Sequence, residues 1–263
     1  MKRWIKVILG IPVVIVLAFA GMATWFSYVP NTEEISSQFI TAHPIDLSQV
    51  AAFSQYRSCA GHDFRHPMVA TGEREKTPRS LKHYVKAKPE FRGSLDKVGV
   101  FAPFDGQVSE IDDDAGSPGD QQIWLTPETK NPASPRQWQF VFFHINLDPS
   151  LREGSTVVAG QRIGWANLAR GPDRATDNFD IAMKFTRPLH QPAVDEVLTH
   201  MSPQVLADYE KYGITPDKLV ISETYRDAHD CPVLSAGPTG PEYDQRTIYF
   251  PPEAGSQEYI FLK

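Results

Sequence analysis

Nine consecutive residues, Ser58 to His66 (SCAGHDFRH), bring together a thiol, two imidazoles and a carboxylate. These are the side-chain types that ligate zinc. His62 and His66 stand four residues apart with Asp63 directly after the first. On a helix that spacing would put both histidines on one face with an acid between them to serve as base, the zincin arrangement. The flanking residues argue against a helix. Gly61 precedes the first histidine and Pro67 follows the second, and a residue before proline is pushed out of the helical region, so about five residues remain. The stretch therefore reads as a polar turn.

What Cys59 can do depends on the compartment, and the N-terminus bears on that. Lys2, Arg3 and Lys6 precede an uncharged apolar run from Val7 to Val29, long enough to cross about 30 Å of hydrocarbon. Basic residues stay on the cytoplasmic side, which places the main domain in the periplasm or outside the cell. Residues 1–29 are expected to form a transmembrane anchor, with Trp25, Phe26 and Tyr28 at the outer interface. A cleaved signal sequence is the competing reading, because Ala18-Phe19-Ala20 fits a small-x-small cleavage site. In either case two lone cysteines in an oxidising compartment pair by default. Cys59 and Cys231 are thus expected to form a disulfide, worth about 4 kcal/mol in the chain-entropy picture. Free buried thiols and a metal-bound Cys59 are the other fates open to them.

The elements that must position these residues are mostly strands. The chain has 22 prolines and 17 glycines, which predicts many turns, few long helices and a mainly β fold. A net charge of -6 and a pI near 5.8, with no basic run past the first few residues, exclude the electrostatic footprint of a nucleic-acid partner. After a linker and lead-in over 30–57, "VGVFAPFDGQVSEI" reads as a hairpin, Phe101–Ile111, turning at Pro103 to Gly106. "QIWLTPE", "QWQFVFFHINL" and "NFDIAMKF" supply further strands, and a turn at Ala159-Gly160 joins two more. Phe140, Phe142, Val158, Ile163 and Ile181 are the expected core. The acidic stretch "IDDDAGSPGDQQ" lacks the spacing of a calcium loop and reads as solvated. Residues 65–97 read as a solvated insertion whose Lys82, His83, Lys86, Lys88 and Arg92 could face an acidic polymer or lipid headgroups. Residues 191–263 read as a small C-terminal helical cap with an extended tail. Its one clear helix is capped by Ser202, begins with Pro203 and stops at Gly213.

In their order, "CAGHD", "FAPFDGQVSEI", "FFHINL", "LREGSTVVAGQRIG" and "NFDIAMKF" resemble a LytM-type (lysostaphin-type) zinc endopeptidase domain, a duplicated hybrid motif related to the biotinyl/lipoyl hammerhead. That family runs H-x-G-x-D, a V-x-A-P-x-D-G-x-V segment, a strand ending in histidine, G-x-x-V-x-x-G-Q-x-I-G, and a strand with H-x-H. The resemblance implies a LytM-like antiparallel β domain over 58–190. It puts metal-ligand positions at Cys59, Asp63 and Asp180, and catalytic positions at His144 and Asn178. Cys59 and Asp180 stand where the family has zinc histidines, Asn178 replaces a catalytic histidine, and His62 and His66 match nothing.

Such a ligand set is anionic and has no imidazole, so it would make a zinc-bound water less acidic than catalysis needs. A disulfide at Cys59 would reduce the set to two carboxylates. The expected function is a membrane-anchored extracytoplasmic binding or regulatory module of the cell envelope, with no catalysis, metal or cofactor. Its partner would be an envelope protein or a cell-wall polymer. One alternative is an active zinc metallopeptidase on cell-wall peptides, drawing on Cys59, His62, Asp63, His66 and His144. Another is a scaffold or assembly subunit of a membrane complex. A reporter fused after Lys263 is expected to work only as an extracytoplasmic type; activity of a cytoplasm-only reporter would refute the topology.

Overall fold

Aromatic and branched residues crowd Gln137–Leu147, and this run forms the longest strand of a mainly β protein. The computed structural model describes residues 38–65, 68–69, 75–113, 120–128, 137–169, 175–186, 192–234 and 248–263. The expected membrane span at 1–29 lies outside these, as does His66; among the described residues no helix is long and apolar enough to cross a membrane. Twelve strands are described: β1 (Val50–Ser54), β2 (Met68–Val69), β3 (His83–Ala87), β4 (Gly99–Phe101), β5 (Gly106–Asp112), β6 (Gln121–Pro127), β7 (Gln137–Leu147), β8 (Thr156–Val157), β9 (Arg162–Ala166), β10 (Asn178–Thr186), β11 (Ala193–Asp195) and β12 (Tyr259–Phe261). They join one sheet whose main path runs β12-β1-β3-β10-β7-β6-β5-β8. Among the described strands only β11 with β2 is a parallel pair; the other strand pairs are antiparallel.

The central strands are covered on both faces. Phe140, Phe142, Ile123, Leu125, Phe179, Ile181 and Met183 enter the main core, while Val141, Phe143, Trp124 and Ala182 are buried on the opposite face under Phe64. Two covered faces explain why β7 reads as a nearly unbroken apolar run and not as an alternation. β7 also changes partner along its length. Up to Phe143 it pairs with β10, and from Ile145 it pairs with β9. Between them the register with β6 slips by one residue, and His144 takes a φ of +62°. His144 is thus the extra residue of a bulge, which re-aims its side chain.

Three short helices follow the sheet: α1 (Pro203–Lys211), α2 (Pro216–Leu219) and α3 (Glu223–Ala228). α1 starts and stops as its sequence predicts. The Ser202 side chain accepts from the Val205 N–H, Pro203 opens the first turn, and Gly213 takes a φ of +85°. Val205 and Tyr209 carry its buried face into the main core.

Several expectations need correction. β4 pairs with β9, and β5 pairs with β6 and β8, so Phe101–Ile111 is not a hairpin. Alternation identifies the face of a strand but not its neighbour. Val158 is 57% exposed, because it sits in the turn just after β8. Phe140, Phe142, Ile163 and Ile181 are all buried as expected. Residues 38–57, read as linker and lead-in, supply β1 and bury Ile40, Ile45 and Phe53. Within 65–97, read as a solvated insertion, β3 sits between β1 and β10, and Lys82 and His83 are buried. The C-terminal tail returns as β12 along β1. Phe142→Ala is expected to cost about 3–5 kcal/mol in chemical denaturation, because the core around it on neighbouring strands cannot collapse into the void.

Candidate functional site

β3, β10 and β7 bring Tyr84, Asp180 and Phe143 into one row, with Asp180 opposite Tyr84 on one side and Phe143 on the other. Asp180 is 0% exposed. Lys82, two residues before Tyr84, projects over the same face and forms a salt bridge with Asp180. Its ammonium also lies 4.4 Å from the ring centre of Phe143, 5.0 Å from Phe64 and 5.1 Å from Tyr84. The quadrupoles of three rings and one carboxylate therefore stand in for the water this cation gives up. Further along the face, Lys184 lies over Trp124, and burial holds its ammonium below the usual lysine range. At the other end Tyr259 donates to Asn178 at 3.2 Å. Burial, helped by the charges of Asp180 and Asp177, pushes the Tyr259 phenol up.

The Ser58–Phe64 segment crosses this row. It is extended and turn-like, bridged to Ser80 at both Ser58 and Phe64 and to Tyr249 at His62. Among the described residues of the stretch, 58–65, no helix forms. Gly61 makes the crossing possible: its φ is +71°, and a Cβ there would lie 2.0 Å from the Tyr84 hydroxyl. Just past the crossing, the His62 ring reaches the same hydroxyl at 3.0 Å.

The positions singled out by the sequence are each engaged separately. Cys59 is bonded to Cys231, with Cα atoms 5.3 Å apart. Asp63 is gripped by Arg65, whose Nε and Nη2 both donate at 2.8 Å, and it accepts the Arg79 N–H at 3.2 Å. His144 Nδ1 lies 2.9 and 3.0 Å from the two oxygens of Asp120. A carboxylate can only accept, so Nδ1 is the donor in this contact. Among the described residues no three His, Cys, Asp or Glu side chains are grouped to hold a metal ion.

Behind the disulfide lies a layer of buried ion pairs that sequence reading missed. Arg79, 0% exposed, binds Glu75 at 2.7 Å and also Asp227 on α3, while Arg57 binds Glu75 at 2.8 Å. Burial raises the Glu75 carboxyl, and the two guanidiniums pull it back. Arg226 of α3 stands 3.0 Å from Cys59 Sγ, donates to the Arg57 carbonyl at 2.8 Å and pairs with Glu258. A signal for Lys82 did exist. In "LKHYVKA" the residues around it carry the β-branched and aromatic content of a strand.

Fold and site together define a mainly β protein with a lysine-centred polar row buried beneath a disulfide-anchored crossing segment. No protein-family profile matches the chain, and no curated protein matches it. Among solved structures, one of Helicobacter pylori Csd3 from a hexagonal crystal aligns at 12% identity with a TM-score of 0.32. The match covers 76% of this chain, which spans 45% of that one. A TM-score this low carries neither fold nor function across.

Breaking a buried pair from one side is costly, whereas replacing both partners by apolar groups is often tolerated. Lys82→Met alone is expected to destabilise the protein by about 3 kcal/mol. Lys82→Met with Asp180→Leu is expected to cost less than the sum of the two single changes in denaturant titrations. Strict additivity would show that the two groups do not act as a unit.

Proposed function

We propose that this chain is a LytM-like module that binds or regulates a component of the cell envelope and does not catalyse. The reading rests on one observation: every ligand position implied by the resemblance is committed to another group. Cys59 is bonded to Cys231, Asp63 is held by Arg65, and Asp180 is paired with Lys82. At Asp180 the positive charge that a zinc ion would bring is supplied by an ammonium. A disulfide sulfur has no thiolate to offer, and a carboxylate already gripped by a guanidinium must lose that partner before it ligates. The apolar run at Val7–Val29 supports anchorage in a membrane with the β domain outside the cytoplasm. An envelope protein or cell-wall polymer is then the partner in reach.

The peptidase alternative has one feature in its favour, the His144–Asp120 pair. General-base chemistry needs such a pair, but it also needs a nucleophile or an activated water beside it.

The test uses full-length protein extracted from membranes. Elemental analysis and mass spectrometry of a non-reduced digest are run on one sample, followed by co-sedimentation with purified cell wall and capture from solubilised membranes. The expected result is a Cys59–Cys231 cross-linked peptide, no stoichiometric zinc, no release of wall fragments, and retention on wall or on one envelope protein. Two free thiols with about one zinc per chain would overturn the reading and restore the peptidase.

A further inference from the structure

Away from the Lys82 row, a cleft of about 620 Å³ opens where α1 meets residues 42–48, Phe101 at the end of β4 and Gly160 in the turn after β8. Small-molecule sites occupy about 300–1,000 Å³. Three stretches distant in sequence thus converge on a space large enough for a ligand. Leu47, Phe101 and Tyr212 give it an apolar wall, and Asp46, Asp208 and Lys211 give it charge. Its charged lining is two carboxylates and one ammonium.

The carboxylate of Asp208 is held in place from one side. His43 Nε2 lies 3.1 Å from its Oδ2, and the His43 ring is stacked on Tyr209 at 5.7 Å. The other imidazole nitrogen, Nδ1, is buried without a hydrogen-bond partner among the described residues, and His43 lines the cleft beside Asp208. On its second oxygen Asp208 accepts from the Lys211 ammonium at 2.6 Å. Lys211 itself is 72% exposed and comes from the same helix, so it is a weakly held occupant on a flexible stem. The contact shows that an ammonium on an alkyl chain can seat on Asp208. Asp46 is exposed and lines the same cleft, where its Oδ1 accepts the Ser48 N–H.

We propose that this cleft binds a primary alkylamine, with the ammonium between Asp208 and Asp46 and the stem along Leu47, Phe101 and Tyr212. The ligand displaces Lys211 from Asp208. This site is separate from the ligand positions 59, 63 and 180 and goes beyond the reading above. The amine comes either from a free diamine or from a lysine side chain of a partner.

Calorimetric titration of the full-length chain tests it with 1,5-diaminopentane and with Nα-acetyl-lysine amide. Pentane-1,5-diol is the neutral control and glutarate the anionic one. Saturable binding of either amine, with neither control bound, is expected; the amine that binds more tightly identifies the source. Asp208→Asn is expected to weaken binding about tenfold, the loss of one charge-assisted hydrogen bond. Asp46→Asn, at an exposed position outside α1, should weaken it as well and keeps the test valid if the first variant misfolds. Lys211→Met removes the internal competitor and should tighten binding about two- to fivefold. Diol binding equal to amine binding, preference for glutarate, no amine binding, or an unchanged affinity in Lys211→Met would each overturn the proposal.

Discussion

Taking an ammonium out of water costs several kcal/mol unless the protein replaces its solvation, and Lys82 is buried to 2% exposure. The face of the sheet around it is arranged to meet that requirement. Asp180 occupies the middle of β10, where its cross-strand neighbours are Tyr84 and Phe143, and both present ring faces to the cation. Phe64 closes the third side. To deliver Phe64, the Ser58–Phe64 segment has to cross the row against Tyr84, and only a residue without a Cβ can sit at position 61. The polar turn, the glycine and the aromatic residues are therefore consequences of one buried charge.

The same constraint recurs one layer further out. Arg57, Arg79 and Arg226 are matched by Glu75, Asp227 and Glu258, so charges that bulk water would screen are paired inside the protein. The disulfide closes this layer by joining residues 172 apart in sequence. Arg226 touches both its sulfur and the backbone at Arg57, which ties α3 to the crossing segment. The C-terminal segment is consequently integral to the sheet. Tyr209 of α1 lies in the main core, and β12 extends the sheet edge beside β1.

The interior is held by fixed charge pairs. Each acidic group at the centre already has a permanent cation, and each such cation is a side chain that cannot dissociate. The cleft at α1 differs in kind, since its cation is exposed and its carboxylates reach solvent. A rigid polar core thus sits beside a charged cleft that is open to solvent.

By itself, the sequence determined what depends on near neighbours in the chain. The mainly β character, the strands at Gln137–Leu147 and Asn178–Thr186, and the helix bounded by Ser202 and Gly213 were all legible, because periodicity and caps act within a few residues. The cysteine pairing was expected from two lone thiols together with an N-terminus read as directing the chain to an oxidising compartment. Tertiary structure alone decided which strands are neighbours, why the Phe101–Ile111 segments part, and how β3 enters the sheet. It also decided the chemistry of the site. Lysine is rarely buried without a partner, so Lys82 reads as solvent-facing until Asp180, 98 residues away, is brought beside it. A charge's surroundings are a property of the folded neighbourhood, and no local pattern in the chain encodes them.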